Sequence, residues 1–288
     1  MNTPIIYTSS YLRTTKATAS IAHDIAKALE RLGIEHRELQ NTNDYWCRDY
    51  MPVRLFDDGS YSKYIYRPDY LWDDEAKRQY ITKQSDACKG IDLYLTAHMG
   101  VIFDGGNYVR CNGKVIMTDK VFMENPQWPV EELTRRLHDA LCAEIIIIPW
   151  DMRDPCGHAD GMVAPLDDGR LLLNNYVQDK SQNNFYKRLH KILDAHFDVV
   201  DLSFDCKLEA DSWCYLNFLN LPDAILMPAL SEHYDCANDI EAIRVMKELF
   251  PGKQIIPIYA QPLIKDGGAL HCVTWEYLLH NHYTYYKS

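Results

Sequence analysis

A fixed period constrains this chain more than any other feature. Helical patterns begin near positions 16, 73, 130, 184 and 239, so the interval is always about 55 residues. From Lys16 to Leu32 the apolar side chains Ile21, Ile25, Ala28, Leu29 and Leu32 recur at helical spacing, and the run stops at Gly33. Pro129 opens a second run with Val130, Leu133, Leu137 and Leu141 on one face. Asn184 to Leu193 and Asp239 to Phe250 repeat the pattern, the latter through Ile240, Ile243, Met246, Leu249 and Phe250. Asp73 to Ala87 carries it more weakly. A short strand is predicted after each helix: Ile34–Leu39, Ile91–Leu95, Glu144–Ile148, Phe197–Leu202 and Gln254–Tyr259. Between them lie the hairpin signals Asp58-Gly59, Asn112-Gly113 and Asp168-Gly169, again about 55 residues apart. Each unit therefore reads as strand, turn, strand, helix, strand. Five such units can close into a ring that leaves few exposed sheet edges. The expected fold is α/β: a five-unit pseudo-symmetric ring, with residues 1–288 forming one domain. An ordinary open α/β sheet is the alternative that periodicity leaves standing.

Composition narrows the partners. Apolar residues make up 47% and charged residues 25%, which excludes a disordered or low-complexity chain. There are 41 acidic against 30 basic side chains, a net charge of −11 with no dense basic run. A nucleic-acid backbone is bound through Lys and Arg, so nucleic acid is not the expected partner, and a small cation suits the charge better. The most apolar stretch, Ala143 to Trp150, is too short to span a bilayer. The first residues lack the basic and apolar runs of a signal peptide. Nine cysteines without a Cys-x-x-Cys pair read as reduced thiols, and the expected setting is cytoplasmic, with no membrane partner. Self-association into a homo-oligomer is left open.

Four polar clusters interrupt the repeat just after the helix-following strands. They are Asn43-Asp44-Tyr45-Trp46-Cys47-Arg48-Asp49, Asp104-Gly105-Gly106-Asn107, Gly157-His158-Ala159-Asp160 and Gly267-Gly268-Ala269-Leu270-His271-Cys272. Loops at strand ends on a rigid scaffold are where catalytic groups tend to lie. A cysteine, an upstream histidine and carboxylates beside that histidine supply a nucleophile, a base and an orienting group. Each residue also has a plain reading. Cys272 fits a buried small side chain, His158 a structural histidine, and Asp49 and Asp160 turn residues or partners of Arg48 and Arg153. If His158-x-Asp160 is extended, both side chains point the same way, and His271 points away from Cys272. The run Cys156-Gly157-His158-Ala159-Asp160 offers metal-ligand types, but no second half with ligand spacing follows, so no metal is expected. The absence of G-x-G-x-x-G and P-loop motifs argues against a nucleotide, and no cofactor is expected.

In this order, the four clusters resemble the guanidino-modifying pentein superfamily. They most resemble its agmatine deiminase and bacterial-type peptidylarginine deiminase family. The matching stretches are Asn43-Asp44-x-Trp46-x-Arg48-Asp49-x-x-Pro52, Phe103-Asp104-Gly105-Gly106-Asn107, Gly157-His158-x-Asp160 and Gly267-Gly268-x-x-His271-Cys272-x-Thr274. Tyr215-Leu216-Asn217-Phe218 is a further match. The resemblance implies a five-unit α/β propeller, the pentein fold. It implies Cys272 as nucleophile, Asp49 and Asp160 as the grip on a guanidinium, and His158 as general acid/base supported by Asp104. It implies Trp46 beside the substrate and Asn217 as a substrate or supporting contact.

The activity so implied is hydrolytic deimination of agmatine or a similar guanidino compound. It would pass through a covalent Cys272 thiouronium and release ammonia and a ureido product. Peptidyl-arginine deimination, amidino transfer and non-catalytic guanidinium binding are the alternatives. Two positions depart from the family pattern: Met51 stands where glycine is common, and Val273-Thr274-Trp275-Glu276 replaces a glutamine pair. Both bear on the substrate's tail rather than on the reacting groups.

Overall fold

The computed structural model describes residues 3–279. Five three-stranded sheets follow one another along the chain. In each, an inner strand pairs antiparallel with a central strand, and a third strand joins the centre in parallel. The trios are Val53–Arg54, Ser60–Ile65 and Tyr94–Ile102; Val109–Cys111, Lys114–Thr118 and Glu144–Ile148; Val163–Pro165, Leu171–Leu173 and Val199–Asp201; and Leu219–Asn220, Ala224–Ala229 and Gln254–Tyr259. The remaining sheet joins the two ends of the described chain. Trp275–Tyr277 pairs with Ile5–Ser9 in the register Ile5↔Tyr277 and Tyr7↔Trp275, and His36–Leu39 completes it. The fold is thus a five-unit pseudo-symmetric α/β propeller, closed by pairing of the first and last described strands.

The repeat is driven by local chemistry. Gly59, Gly113 and Gly169 hold φ of 81°, 75° and 85°, the left-handed backbone that the three hairpin turns need. Parallel addition of the third strand demands a crossover, and in four units a helix supplies it. Val130–Leu141 buries Leu133, Leu137 and Leu141, one per turn along a single stripe. Each such leucine contributes about 1.5–3 kcal/mol. Ala19–Arg31 buries Ile21, Ile25, Ala28 and Leu29 and ends where Gly33 takes φ 67°. Asn183–Asp194 buries Leu189 and Leu193.

Three sequence expectations need correction. The helix expected over Asp73 to Ala87 is broken into Asp69–Trp72, Arg78–Tyr80 and Gln84–Ala87. Residues 73–79 hold one apolar side chain, Ala76, so there is no stripe to bury. The strand after it runs Tyr94–Ile102 rather than Ile91–Leu95; Met99 and Val101 pack with Leu133 and Leu137 of the helix Val130–Leu141, while Tyr94 and Leu95 at its start stay exposed. In Ala237–Leu249 the buried face is centred on Ala242, Val245 and Met246, so Ile240 points to solvent.

One short turn precedes the inner strand of every unit. Cys47–Tyr50, Gly105–Asn107, Ala159–Gly161 and Ser212–Leu216 are single helical turns, and the fifth position is a turn over 271–273. The inner strands line a cavity of about 600 Å³ along the axis. The turns cap it, and the candidate residues sit on them.

Candidate active site

Asp49, Asp104, Asp160, Asn217 and Cys272 stand at intervals of 55, 56, 57 and 55 residues, one on or beside each of the five turns. The repeat itself brings them together. All five are buried, as is His158, which caps the Ala159–Gly161 turn. His158 Nε2 lies 3.1 Å from Asp104 Oδ2, and its Nδ1 lies 3.6 Å from Asp49 Oδ1. Gly106 N–H donates to the same Asp49 oxygen at 3.2 Å. Cys272 Sγ is 3.9 Å from Asp160 Oδ2 and accepts from Asn217 Nδ2 at 3.2 Å.

The loops are pinned to each other. Arg48 N–H donates to the Cys272 carbonyl at 3.1 Å, and His271 N–H to the Asn217 carbonyl at 3.1 Å. Asn217 Oδ1 accepts from the amides of Ala269 at 3.1 Å and Cys272 at 3.3 Å. Asn217 is therefore a holder of the cysteine turn. The family resemblance alone marks it only as a substrate or supporting contact; its distance of 55 residues from Cys272, one repeat, is the further signal.

Three local expectations change. Ala159–Gly161 is a helical turn, so strand alternation does not align His158 with Asp160; the turn buries both against Asp49 and Cys272. Residues 271–273 are also a turn, and His271 and Cys272 both reach Asp160 Oδ2, at 2.6 and 3.9 Å. His271 was expected to point away. Finally, Arg48 pairs with Glu276 at 2.9 Å, and Arg153 with Asp151 and Asp179 at 2.9 and 2.6 Å. Neither arginine takes Asp49 or Asp160 as its ion-pair partner. Trp46 lies against Gly268, where a Cβ would come within 2.4 Å of the indole.

Carboxylates set the electrostatics. Burial opposes the His158 imidazolium, but Asp49, Asp104 and Asp160 overcome it and raise its pKa to about 10. Burial pushes Asp49 above the ordinary carboxylate value, and the charge of His158 pulls it back. Asp160 is held below the usual carboxylate range: burial opposes this, but the hydrogen bond from His271 and the charges of His271, His158 and Arg48 prevail. Burial, then Asp160 and Asp49, push the Cys272 thiol well above its ordinary value. The site therefore holds a protonated imidazole, a neutral thiol and more negative than positive charge. An added cation would relieve it.

A cavity of about 680 Å³ opens above these groups. Cys272, His158, Asp160 and Asn217 lie on its wall, with Trp213 and Tyr176 among its aromatic lining. Among the described residues, no group of three or more His, Cys, Asp or Glu is placed to hold a metal ion. No helix among them is long and apolar enough to cross a membrane.

Residues 10–277 match the family model of the Porphyromonas-type peptidyl-arginine deiminases. The chain belongs to that family. An agmatine deiminase of Stutzerimonas stutzeri (strain A1501) is 24% identical over 287 residues, covering 82% of this chain and 75% of the relative. Among solved structures, the C. jejuni agmatine deiminase superposes with a TM-score of 0.72 at 14% identity, over 97% of this chain and 94% of that one. The agmatine deiminase of Enterococcus faecalis does so with a TM-score of 0.71 at 17% identity, over 96% and 93%. These likenesses show that the peptidyl-arginine deiminase family member described here shares its propeller with both structures.

Proposed function

We propose that the protein hydrolytically deiminates a small guanidino compound, agmatine or a close analogue, through a covalent Cys272 intermediate. One observation carries the reading: a buried thiol lies beside Asp160 on the wall of a cavity that is also lined by a histidine held between two further carboxylates. A guanidinium is planar and presents N–H donors in a fork, which Asp49 and Asp160 can grip from two sides. The bound cation offsets the carboxylates that raise the thiol, so binding favours the thiolate.

The chemistry then balances. The thiolate attacks the guanidinium carbon and a tetrahedral adduct forms. The C–N bond breaks as His158 gives its proton to the departing amine, which leaves as ammonia. A thiouronium remains on Cys272. His158, now neutral, takes a proton from water as the oxygen attacks the same carbon. The C–S bond breaks as the adduct's remaining hydroxyl proton passes to solvent, where the released ammonia takes it up; the ureido product leaves and the thiolate is restored with His158 protonated again. Asp104 holds the His158 ring through Nε2, which points Nδ1 toward Asp49 and the reacting groups.

The names of the relatives support agmatine as the first substrate to test. The test is an ammonia-release screen over agmatine, arginine, methylated arginines and arginine peptides. N-carbamoylputrescine from agmatine supports the reading; citrulline formed within a peptide would move the activity to peptidyl-arginine. Asp49→Asn should raise KM and lower kcat together, since it removes half of the charged grip. Unchanged kinetics in that variant would remove the carboxylate grip. Ammonia release that survives Cys272→Ala would remove the covalent route.

A further inference from the structure

Lys120 is a lysine buried to 2% exposure that takes no part in the chemistry above. Its ammonium donates to the Cys156 carbonyl at 2.8 Å and to Asp69 Oδ1 at 2.9 Å. The rings of Trp150 and Tyr70 flank it at 5.6 and 5.8 Å. Glu124 approaches at 3.6 Å, with no hydrogen-bond partner on either oxygen. A buried ammonium is costly unless it is fully engaged, so its partners show what it is there to hold.

Its two hydrogen-bond acceptors belong to two separate segments. The first is the loop 154–158, which presents His158. Asp154 accepts from the amides of Cys156 and His158 at 2.8 and 3.0 Å, and Thr118 donates to the Gly157 carbonyl at 2.6 Å. Gly157 has φ 64°, and a Cβ there would meet Trp150 Nε1 at 2.7 Å and Lys120 Cδ at 2.8 Å. The lysine stem is thus the floor on which this loop turns. The second is Asp69–Trp72, the first fragment of the irregular stretch that replaces the missing helix. Asp69 Oδ1 accepts the Tyr70 amide at 2.8 Å together with the Lys120 ammonium. Burial, then Tyr66, Asp104 and Asp49, raise the Tyr70 phenol, so this segment feels the charge of the site.

We propose that Lys120 is a positioning residue: its ammonium holds the loop that aims His158 and fastens the Asp69–Trp72 segment to that loop. The structural half stands on the contacts above; the catalytic half rests on the deimination reading. Burial works against the ammonium, yet Glu124, Asp104 and Asp69 keep its hold on the proton above the ordinary lysine value. The fastening therefore persists across the neutral range.

Amide hydrogen exchange on the full chain tests the structural half. In Lys120→Met, amides of residues 69–72 and 156–158 should both exchange about tenfold faster or more, with Val130–Leu141 unchanged and Lys120→Arg close to wild type. If Lys120→Met does not fold, Asp69→Asn removes only a half-exposed carboxylate, and both segments should still loosen. Wild-type protection at 156–158 in every folded variant would overturn the proposal. For the catalytic half, Lys120→Met should lower kcat about twentyfold with KM within about threefold, and Lys120→Arg should restore most of the loss. An unchanged kcat, or a loss carried by KM, would overturn this half. If wild-type protein releases ammonia from no guanidino probe, the deimination reading falls, while the exchange result still decides the fastening.

Discussion

Asn217 grips Cys272 from two sides. Its Oδ1 accepts the cysteine amide at 3.3 Å, and its Nδ2 donates to the sulfur at 3.2 Å. A donor aimed at sulfur is worth more once the sulfur is charged. Asn217→Ala should therefore lower kcat by roughly 10- to 100-fold, the worth of one hydrogen bond to an ion. Asn217→Asp should be worse, because it sets a carboxylate against the thiolate. The discriminating measurement is the pH dependence of Cys272 alkylation, followed by mass spectrometry at that site. An unmoved alkylation profile in Asn217→Ala would mean that the amide only shapes the turn.

The raised thiol gives a second expectation, independent of turnover. Asp160 and Asp49 both disfavour a Cys272 thiolate, and a bound cation would offset them. At pH 7 a cationic alkylating amidine should modify Cys272 at least about tenfold faster than a neutral alkylating amide of equal size. Asp160→Asn should shrink that ratio by speeding the neutral reagent and slowing the cationic one. Equal rates in the wild-type protein would count against activation by a bound cation.

Gly106 marks how closely the site is built. A Cβ on this residue would stand 2.5 Å from His158 Nδ1 and 2.8 Å from Asp49 Oδ1. Gly106→Ala must therefore drive the imidazole and the carboxylate apart, and its N–H would no longer reach Asp49. His158 would lose part of the field that keeps it protonated. The basic limb of the kcat profile should move to lower pH, and kcat should fall about tenfold or more. Crystallography or histidine NMR would show whether the ring has moved. A wild-type ring position with a wild-type profile would refute the close-approach account.

How much of this was legible in the chain follows from what each signal depends on. Hairpin turns could be read because Asp58-Gly59, Asn112-Gly113 and Asp168-Gly169 encode their own backbone geometry. Helices such as Val130–Leu141 could be read because their apolar stripe is both their pattern and their packing. The second unit misled because the period implied a helix where residues 73–79 have nothing to bury. Asp49, Asp104, His158, Asp160 and Cys272 were found through motifs, and the propeller does bring them together. The directions of His271 and Asp160 were not legible, since strand alternation was applied to residues that form turns. Lys120 left no pattern at all. Its role depends on a loop 36 residues away in sequence.

Ring closure and active site share one ion pair, and it should respond to acid. Glu276 lies in the strand that closes the propeller, and it binds Arg48, next to Asp49, at 2.9 Å. Burial alone would raise the Glu276 pKa, but Arg48, with His271 and Arg54, overrides it and the value falls to about 2. A carboxyl whose folded pKa lies below its unfolded value of about 4.3 stabilises the fold above that value. The contribution is lost as pH falls from about 4.3 through about 2. Its worth is about 2 kcal/mol after allowance for partial exposure. Glu276→Gln should cost that much at pH 7 and leave Arg48 with an unmatched buried charge besides. Denaturant unfolding at pH 7 and at pH 3 should show a smaller gap between variant and wild type in acid. A gap of the same size at both pH values would mean that Glu276 holds the last strand by packing rather than by charge.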